Sequence, residues 1–313
     1  MFRYILKRLL YAIPVFLGIT FVIYTLINLA PGGPLSVLEM SLSDLEALKI
    51  SMGLDKPIVI RYFIWLGDLL HGDFGISYRT SQEVSLMISQ RIMPSLMLTG
   101  TGILAAMLVG VPLGIISAYK PNSVWDHIST FISFIGASVP NFFLSLLLIY
   151  VLAVKLKWFP TSGMQSSGMS GNLLDLLHHL ALPAFVCGIQ PIGNYIKQTR
   201  SSVLEVLNEE YIKTARSKGL TNVVIVLKHA FRNALIPIVT TISLSIPFLI
   251  GGAVVTEQIF AWPGIGSLMI TAITSRDYPV IMGVAVLICG VVLVANLILD
   301  LIYAALDPRI KFK

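Results

Sequence analysis

Side chains with catalytic or metal-binding capacity are few in this 313-residue chain, and their spacing argues against both uses. His178 and His179 are adjacent, whereas two helical histidines sharing a metal ion need an i, i+4 spacing that puts both on one face. They read instead as interfacial polar residues. Cys187 and Cys289 fall inside apolar runs, where a free thiol behaves as a small apolar group, so they suggest neither a disulfide nor a metal site. The chain has no Gly-x-x-x-x-Gly-Lys-Ser/Thr phosphate loop, and its loops hold no nucleophile and base that could act together. Two sets of polar residues remain. Asn141, Gln190, Asn194, Ser243 and Ser245 stand within apolar surroundings, where they can face a polar pathway or serve as hydrogen-bonding glue between helices. Residues 210–237 form the densest polar segment, with Lys213, Arg216, Lys218, Lys228 and Arg232 among them.

The surroundings of these residues are those of a membrane protein. Apolar residues make up 56% of the chain and charged ones only 12%, with mean hydropathy +0.84; a soluble domain carries about 25% charged residues. A bilayer span takes roughly 20 mainly apolar residues. Stretches of that kind occur near Leu9 to Leu29, Pro94 to Ala118, Ile128 to Val154, Leu180 to Ile196, Leu235 to Thr256 and Pro279 to Tyr303. Six spans put both termini on one side. The first follows Arg3, Lys7 and Arg8 but is too long for a signal-peptide core, and Leu29-Ala30-Pro31 places proline where cleavage would fall, so it reads as a retained anchor. With both ends in the cytoplasm, fourteen of the 22 Lys and Arg residues lie inside, Lys197 and Arg200 among them, and eight outside. The basic balance needs no nucleic acid to explain it.

Three segments between spans are long enough to carry structure. The external stretch Pro31 to Met93 shows a capping-box pattern at Ser43-Asp44-Leu45-Glu46 and a second apolar stripe at Ile58, Tyr62, Trp65, Leu66 and Leu69, which predicts two short amphipathic helices before a turn at His71 to Gly75. Lys155 to His179 is rich in glycine and serine and predicts an irregular external loop. The cytoplasmic segment 198–234 is more ordered. Val203, Leu207, Tyr211 and Ala215 recur every four residues as one stripe, Glu209 precedes Lys213 at i, i+4, and Arg216 and Lys218 oppose the negative end of the helix dipole. Gly219 ends that helix, and Thr221 or Asn222 can cap a second over Val223 to Asn233, making an elbow at Lys218-Gly219-Leu220. Kinks are expected at Pro112 with Gly114, Pro140, Pro183, Pro191, Pro237 and Pro247. Asp300, near the cytoplasmic end of the last span, is expected to pair with a Lys or Arg.

Thr214-Ala215-Arg216-Ser217-Lys218-Gly219-Leu220, followed by His229-Ala230-x-Arg232-Asn233-Ala234-Leu235-Ile236-Pro237, closely resembles the cytoplasmic signature of inner-membrane permeases of ATP-binding-cassette importers, in the dipeptide/oligopeptide branch. Ala30-Pro31-Gly32, Gly53-Leu54-Asp55-Lys56-Pro57, Gly72-Asp73-Phe74-Gly75-x-Ser77, Phe159-Pro160-x-Ser162-Gly163, Glu257-x-x-Phe260-Ala261-Trp262-Pro263-Gly264-Ile265-Gly266, Arg276-Asp277-Tyr278-Pro279 and Leu306-Asp307-Pro308-Arg309 resemble that family in order, over essentially the full length. Two positions depart from it: Lys213 stands where the broader signature has Glu, and Gly33 where this branch often has Asp.

The resemblance implies an all-α, type I importer permease: residues 1–30 as cytoplasmic end and first span, 31–93 as external segment, and 94–313 as a five-helix core with a cytoplasmic coupling helix in 198–234. It assigns Tyr211, Thr214, Ala215, Arg216, Lys218, Gly219 and Leu220 to contact with an ATPase subunit. It further implies a homologous second permease, two ATP-binding-cassette ATPase subunits that bind ATP and Mg, and an extracytoplasmic binding protein, all at a prokaryotic inner membrane. No cofactor is implied in this chain. Relatives of this kind move dipeptides, oligopeptides, glutathione or chelated nickel. A proton-coupled transporter would need ionisable residues deep in the spans, and none of the six has one near its middle.

Overall fold

The computed structural model describes residues 2–29, 55–169, 171–245 and 253–306. Helices follow one another as α1 (Phe2–Leu29), α2 (Ile58–Leu70), α3 (Val84–Tyr119), α4 (Val124–Ser138), α5 (Asn141–Lys155, π-helical from Ile149), α6 (Leu173–Leu207), α7 (Glu210–Ser217), α8 (Asn222–Ser243), α9 (Val254–Ile259), α10 (Ile265–Thr274) and α11 (Tyr278–Leu306). Among the described residues, α1, α3, α6, α8 and α11 are long and apolar enough to cross a bilayer, and α4 with α5 makes a sixth span if that bent pair is counted as one. Among the described residues the fold is all-α, as expected, with five such helices, or the expected six when the bent pair is counted as one span. The helix expected after Ser43, and Pro247, lie outside the described residues.

Several boundaries differ from the hydropathy reading, each for an identifiable reason. The third span is broken by 102° between α4 and α5. Proline lacks an N–H and forces the residue before it into extended backbone; Val139 sits at φ −87°, ψ 119° and Pro140 at φ −62°, ψ 135°. Pro112, Pro183, Pro191 and Pro237 stay within continuous helices. The fifth span begins at Asn222 instead of Leu235, because nothing in Val223 to Asn233 breaks a helix, so the second arm of the elbow and the span are one rod. The loop after α5 ends at Asn172, whose side chain caps α6 by accepting from the Leu174 and Asp175 N–H groups. His178 and His179 are therefore helical, bonded to the Trp158 carbonyl and to Ser166 and the Gly163 carbonyl.

The packing centre is α6, held between α3 and α4 by small residues. Gly102, Ala106, Gly110 and Gly114 recur every four residues on α3 and are buried against α6. A Cβ at Gly110 would lie 2.9 Å from the Tyr195 Cβ, and one at Gly114 2.6 Å from the Thr199 Cβ. On the other side Ser129, Ser133 and Gly136 of α4 are buried, and a Cβ at Gly193 of α6 would lie 2.8 Å from the Ser133 carbonyl. Lipid is as apolar as any core, so helices associate in a membrane through such close approach and through polar contacts.

Polar clamps join the remaining elements to one another and to α3. Arg8 of α1 pairs with Asp300 of α11 at 2.8 Å, as the position of Asp300 near a span end suggested, and Arg61 of α2 donates to Asn28 of α1 at 3.0 Å. The Thr20 and Tyr62 hydroxyls bond at 2.9 Å between those two helices. Buried Glu257 accepts from the Ser95 hydroxyl of α3 (2.6 Å) and the Ser267 N–H of α10 (2.9 Å), while the Trp262 indole donates to the Pro94 carbonyl (2.8 Å). Asp277 accepts from the Ser77 hydroxyl and the Tyr78 N–H, joining the segment after α2 to the start of α11.

Gly114→Val is expected to wedge α3 from α6. Overpacking of this kind costs about 1–3 kcal/mol, which a lowered midpoint of thermal unfolding in detergent reports. Gly100→Ala, where a Cβ meets nothing within 4 Å, leaves that midpoint unchanged. Equal midpoints for the two variants would show that the α3–α6 contact is not close-packed.

Candidate functional site

Packing on two sides leaves α6 a third face, and that face is polar. Gln190, Asn194, Lys197 and Ser201 lie at i, i+4, i+7 and i+11, and all four are exposed. At 1.5 Å per residue they form a stripe about 16 Å long. They border a cavity of about 650 Å³ that Thr99 of α3, Asn141 of α5, Thr241 of α8 and Ser245 just past the end of α8 complete, with Ile103, Cys187 and Leu244 as apolar wall. The buried Tyr195 donates to the Ser245 hydroxyl at 2.9 Å, which joins α6 to the turn after α8 in the cavity wall. Of the five residues singled out from sequence, Asn141, Gln190, Asn194 and Ser245 line this cavity; Ser243 is buried at 3% exposure and does not. Lys197, Gln198, Ser201 and Thr241 were not singled out. The i, i+4, i+7, i+11 recurrence of polar residues on α6 is the signal that finds Lys197 and Ser201.

Three residues beyond Lys197, Arg200 has a different task. Its Nε and Nη2 donate to Asp126 Oδ1 and Oδ2 of α4 at 2.7 and 2.9 Å. The Ser117 hydroxyl and the Asn122 N–H donate to the same carboxylate. A bidentate pair with every oxygen engaged fixes geometry as well as charge, so this network pins α6 to the α3–α4 turn. Asp126 lies too near a helix start for hydropathy to mark it.

The polypeptide leaves α6 at Asn208-Glu209 and turns into α7. The single stripe expected from Val203 to Ala215 is thus divided between two helices, and Lys213 pairs with Glu210 at 2.6 Å instead of Glu209. Ile212, Ala215 and Ile225 are buried together against Leu207, giving the elbow a core of its own. Gly219 adopts φ +78°, the left-handed conformation that ends a helix, and its N–H donates to the Arg216 carbonyl at 2.9 Å. Thr221 takes the N-cap position of α8 without a side-chain bond. The Tyr211 hydroxyl accepts from Asn233 at 2.7 Å, bracing α7 on α8.

Of the residues that the resemblance assigns to partner contact, Tyr211, Thr214, Arg216, Lys218, Gly219 and Leu220 are exposed on this elbow. Ala215 is not. At 8% exposure it faces the elbow's own core, because its position aligns with Ile212 and not with the outward face of α7.

Comparisons with known proteins agree with one another. Residues 110–312 match the family described as binding-protein-dependent transport system inner membrane component, and residues 1–99 match its N-terminal counterpart. The oligopeptide transport system permease protein AppB of Bacillus subtilis is 43% identical over all of both chains. The dipeptide transport system permease protein DppB of Escherichia coli K12 and the glutathione transport system permease protein GsiC of Salmonella choleraesuis are each 36% identical, again over all of both chains. Among solved structures, a chain of the inward-facing MetNI methionine ABC transporter aligns with TM-score 0.53 at 18% identity, covering 71% of this chain and 97% of that one, which is a likeness of fold.

Ala215→Glu is expected to open the elbow, since an unpaired charge in its core costs several kcal/mol and each 1.4 kcal/mol raises the opened fraction tenfold. Tryptic cleavage after Arg216 and Lys218 should accelerate at least tenfold, whereas Thr214→Glu on the exposed face leaves the rate unchanged. Similar rates for both variants would mean that Ala215 contributes no packing.

Proposed function

Because this chain belongs to the binding-protein-dependent transport system inner membrane component family, we propose that it is one of two homologous permease subunits of a peptide importer in a prokaryotic cytoplasmic membrane. Two ATPase subunits that bind ATP with Mg supply energy by hydrolysing it, and an extracytoplasmic binding protein delivers di- or oligopeptides. The observation that carries this reading is the double duty of α6. One helix lines the polar cavity through Gln190 to Ser201 and passes, across Asn208-Glu209, straight into the elbow. A displacement of the elbow is therefore a displacement of the cavity wall. The compact core of the elbow and the Tyr211–Asn233 bond make it a stiff lever.

The outward face of α7 has the chemistry of a docking surface. Arg216 and Lys218 are exposed and form no ion pair among the described residues, so they are available to acidic groups on an ATPase groove. Gly219 permits close approach, and Leu220 and Tyr211, at 39% and 44% exposure, offer apolar contact beside it. The cavity suits peptides because carboxamides and hydroxyls pair with amide N–H and C=O groups whatever the side chains are. Two of these relatives are oligopeptide and dipeptide permeases and one is a glutathione permease, and glutathione is itself a small peptide that the same cavity would accommodate.

Two measurements test this reading. In a background with Cys187 and Cys289 replaced by alanine, Ser166→Cys in the external loop should react with an impermeant thiol reagent in intact cells, and Ser217→Cys on α7 only after permeabilisation; the reverse pattern overturns the assigned sidedness. The double variant Arg216→Glu, Lys218→Glu reverses two exposed charges without touching the elbow core. It should lower co-purification of the ATPase subunits and binding-protein-stimulated peptide uptake by roughly tenfold or more, the scale of like-charge juxtaposition at an interface. Unchanged assembly and uptake would exclude this face from coupling.

A further inference from the structure

Among the described residues, Lys197 is the one charged group in the cavity wall, and no carboxylate accompanies it. It is exposed on α6, and no hydrogen bond or ion pair joins it to another described residue. Its neighbour Arg200 shows what this helix does with a cation that serves the fold, placing it in a closed bidentate network with Asp126. Nor can the stripe face lipid, since carboxamides and an ammonium are expensive there.

Resting on the peptide-importer reading, we propose that Lys197, with Gln190 and Asn194 above it on α6, is a transit site for the free α-carboxylate end of a peptide. The ammonium takes the carboxylate through a charge-assisted hydrogen bond. The two carboxamides, one and two turns back along the helix, take backbone N–H and C=O groups. From Gln190 to Lys197 the stripe rises about 10 Å, the length of roughly three extended residues at about 3.4 Å each, so the site spans the carboxyl-terminal two or three residues and ignores their side chains. A single exposed cation binds weakly enough to release its ligand, which a site inside a pathway must do. An ionic stripe of this kind is a filter for substrates with a free carboxyl end and gives no purchase to a cationic ligand.

The test uses the complete transporter, reconstituted in proteoliposomes with its ATPase subunits and the binding protein, and labelled trialanine as the probe. In the background lacking Cys187 and Cys289, Lys197→Cys should lower uptake of trialanine per ATP hydrolysed by about three- to tenfold, while stimulated ATP hydrolysis stays at the wild-type rate. Modifying that cysteine with an aminoethyl thiosulfonate restores an ammonium and should restore uptake; a methyl thiosulfonate, which adds no charge, should not. Lys197→Arg keeps the charge and should transport normally. Equal uptake before and after both reagents, equal rescue by both, or a fall in hydrolysis that matches the fall in uptake would overturn the transit site while leaving the importer reading intact. Absence of trialanine uptake by the wild-type complex would overturn the peptide reading and the transit site with it.

Discussion

Close approach of α3 and α4 to α6 is the constraint on which the rest of the molecule depends. Water drives soluble helices together by hydrophobicity, but hydrocarbon gives no such preference, and the contact must come from van der Waals packing and polar bonds. The four-residue recurrence of Gly102, Ala106, Gly110 and Gly114 removes the side chains that would hold α3 away, and Gly193 does the same opposite Ser133. Once two faces of α6 are committed in this way, only a third is left, and it carries Gln190, Asn194, Lys197 and Ser201. The cavity is a consequence of that commitment.

The buried polar clusters hold this arrangement at its two ends. At one end, Glu257 reaches from α9 to Ser95 of α3 and to the first turn of α10, where a carboxylate also meets the positive end of the helix dipole. The Ser77 contact with Asp277 joins segments 200 residues apart. At the other end Arg200 and Asp126 join α6 to the α3–α4 turn. Each is satisfied by several bonds, as burial demands, and the Arg200–Asp126 network resists rotation of α6 about its own axis.

Much of this was legible in the sequence because it is local. Runs of apolar residues long enough to span, the polar elbow with its helix end at Gly219, and the pairing of Asp300 with a cation near a span end follow from backbone geometry, solvation and charge within a few residues. The family motifs were legible too, but their meaning was not. Gly72 to Ser77 and Arg276 to Pro279 meet at Ser77 and Asp277, and Phe159 to Gly163 meets the Glu257 motif where the Gly163 N–H donates to the Phe260 carbonyl at 2.8 Å. Separate signatures in the chain are halves of single contacts in space.

Direction was the property that only the folded chain supplied. Hydropathy places Ala215 on an apolar stripe but cannot say whether it faces a partner or its own elbow; the packing of Ile212, Ile225 and Leu207 puts it inside. Pro140 and Pro191 read alike as kinks, yet one breaks a span by 102° and the other sits in a continuous helix. Lys197 and Arg200, three residues apart, count equally toward sidedness, and only their neighbours separate an open cation in a cavity from one locked to Asp126. The reason is common to all three. Lipid and protein interior are equally apolar, so the sequence of a membrane helix records that a residue leaves water, and only the approach of another helix decides which way it turns.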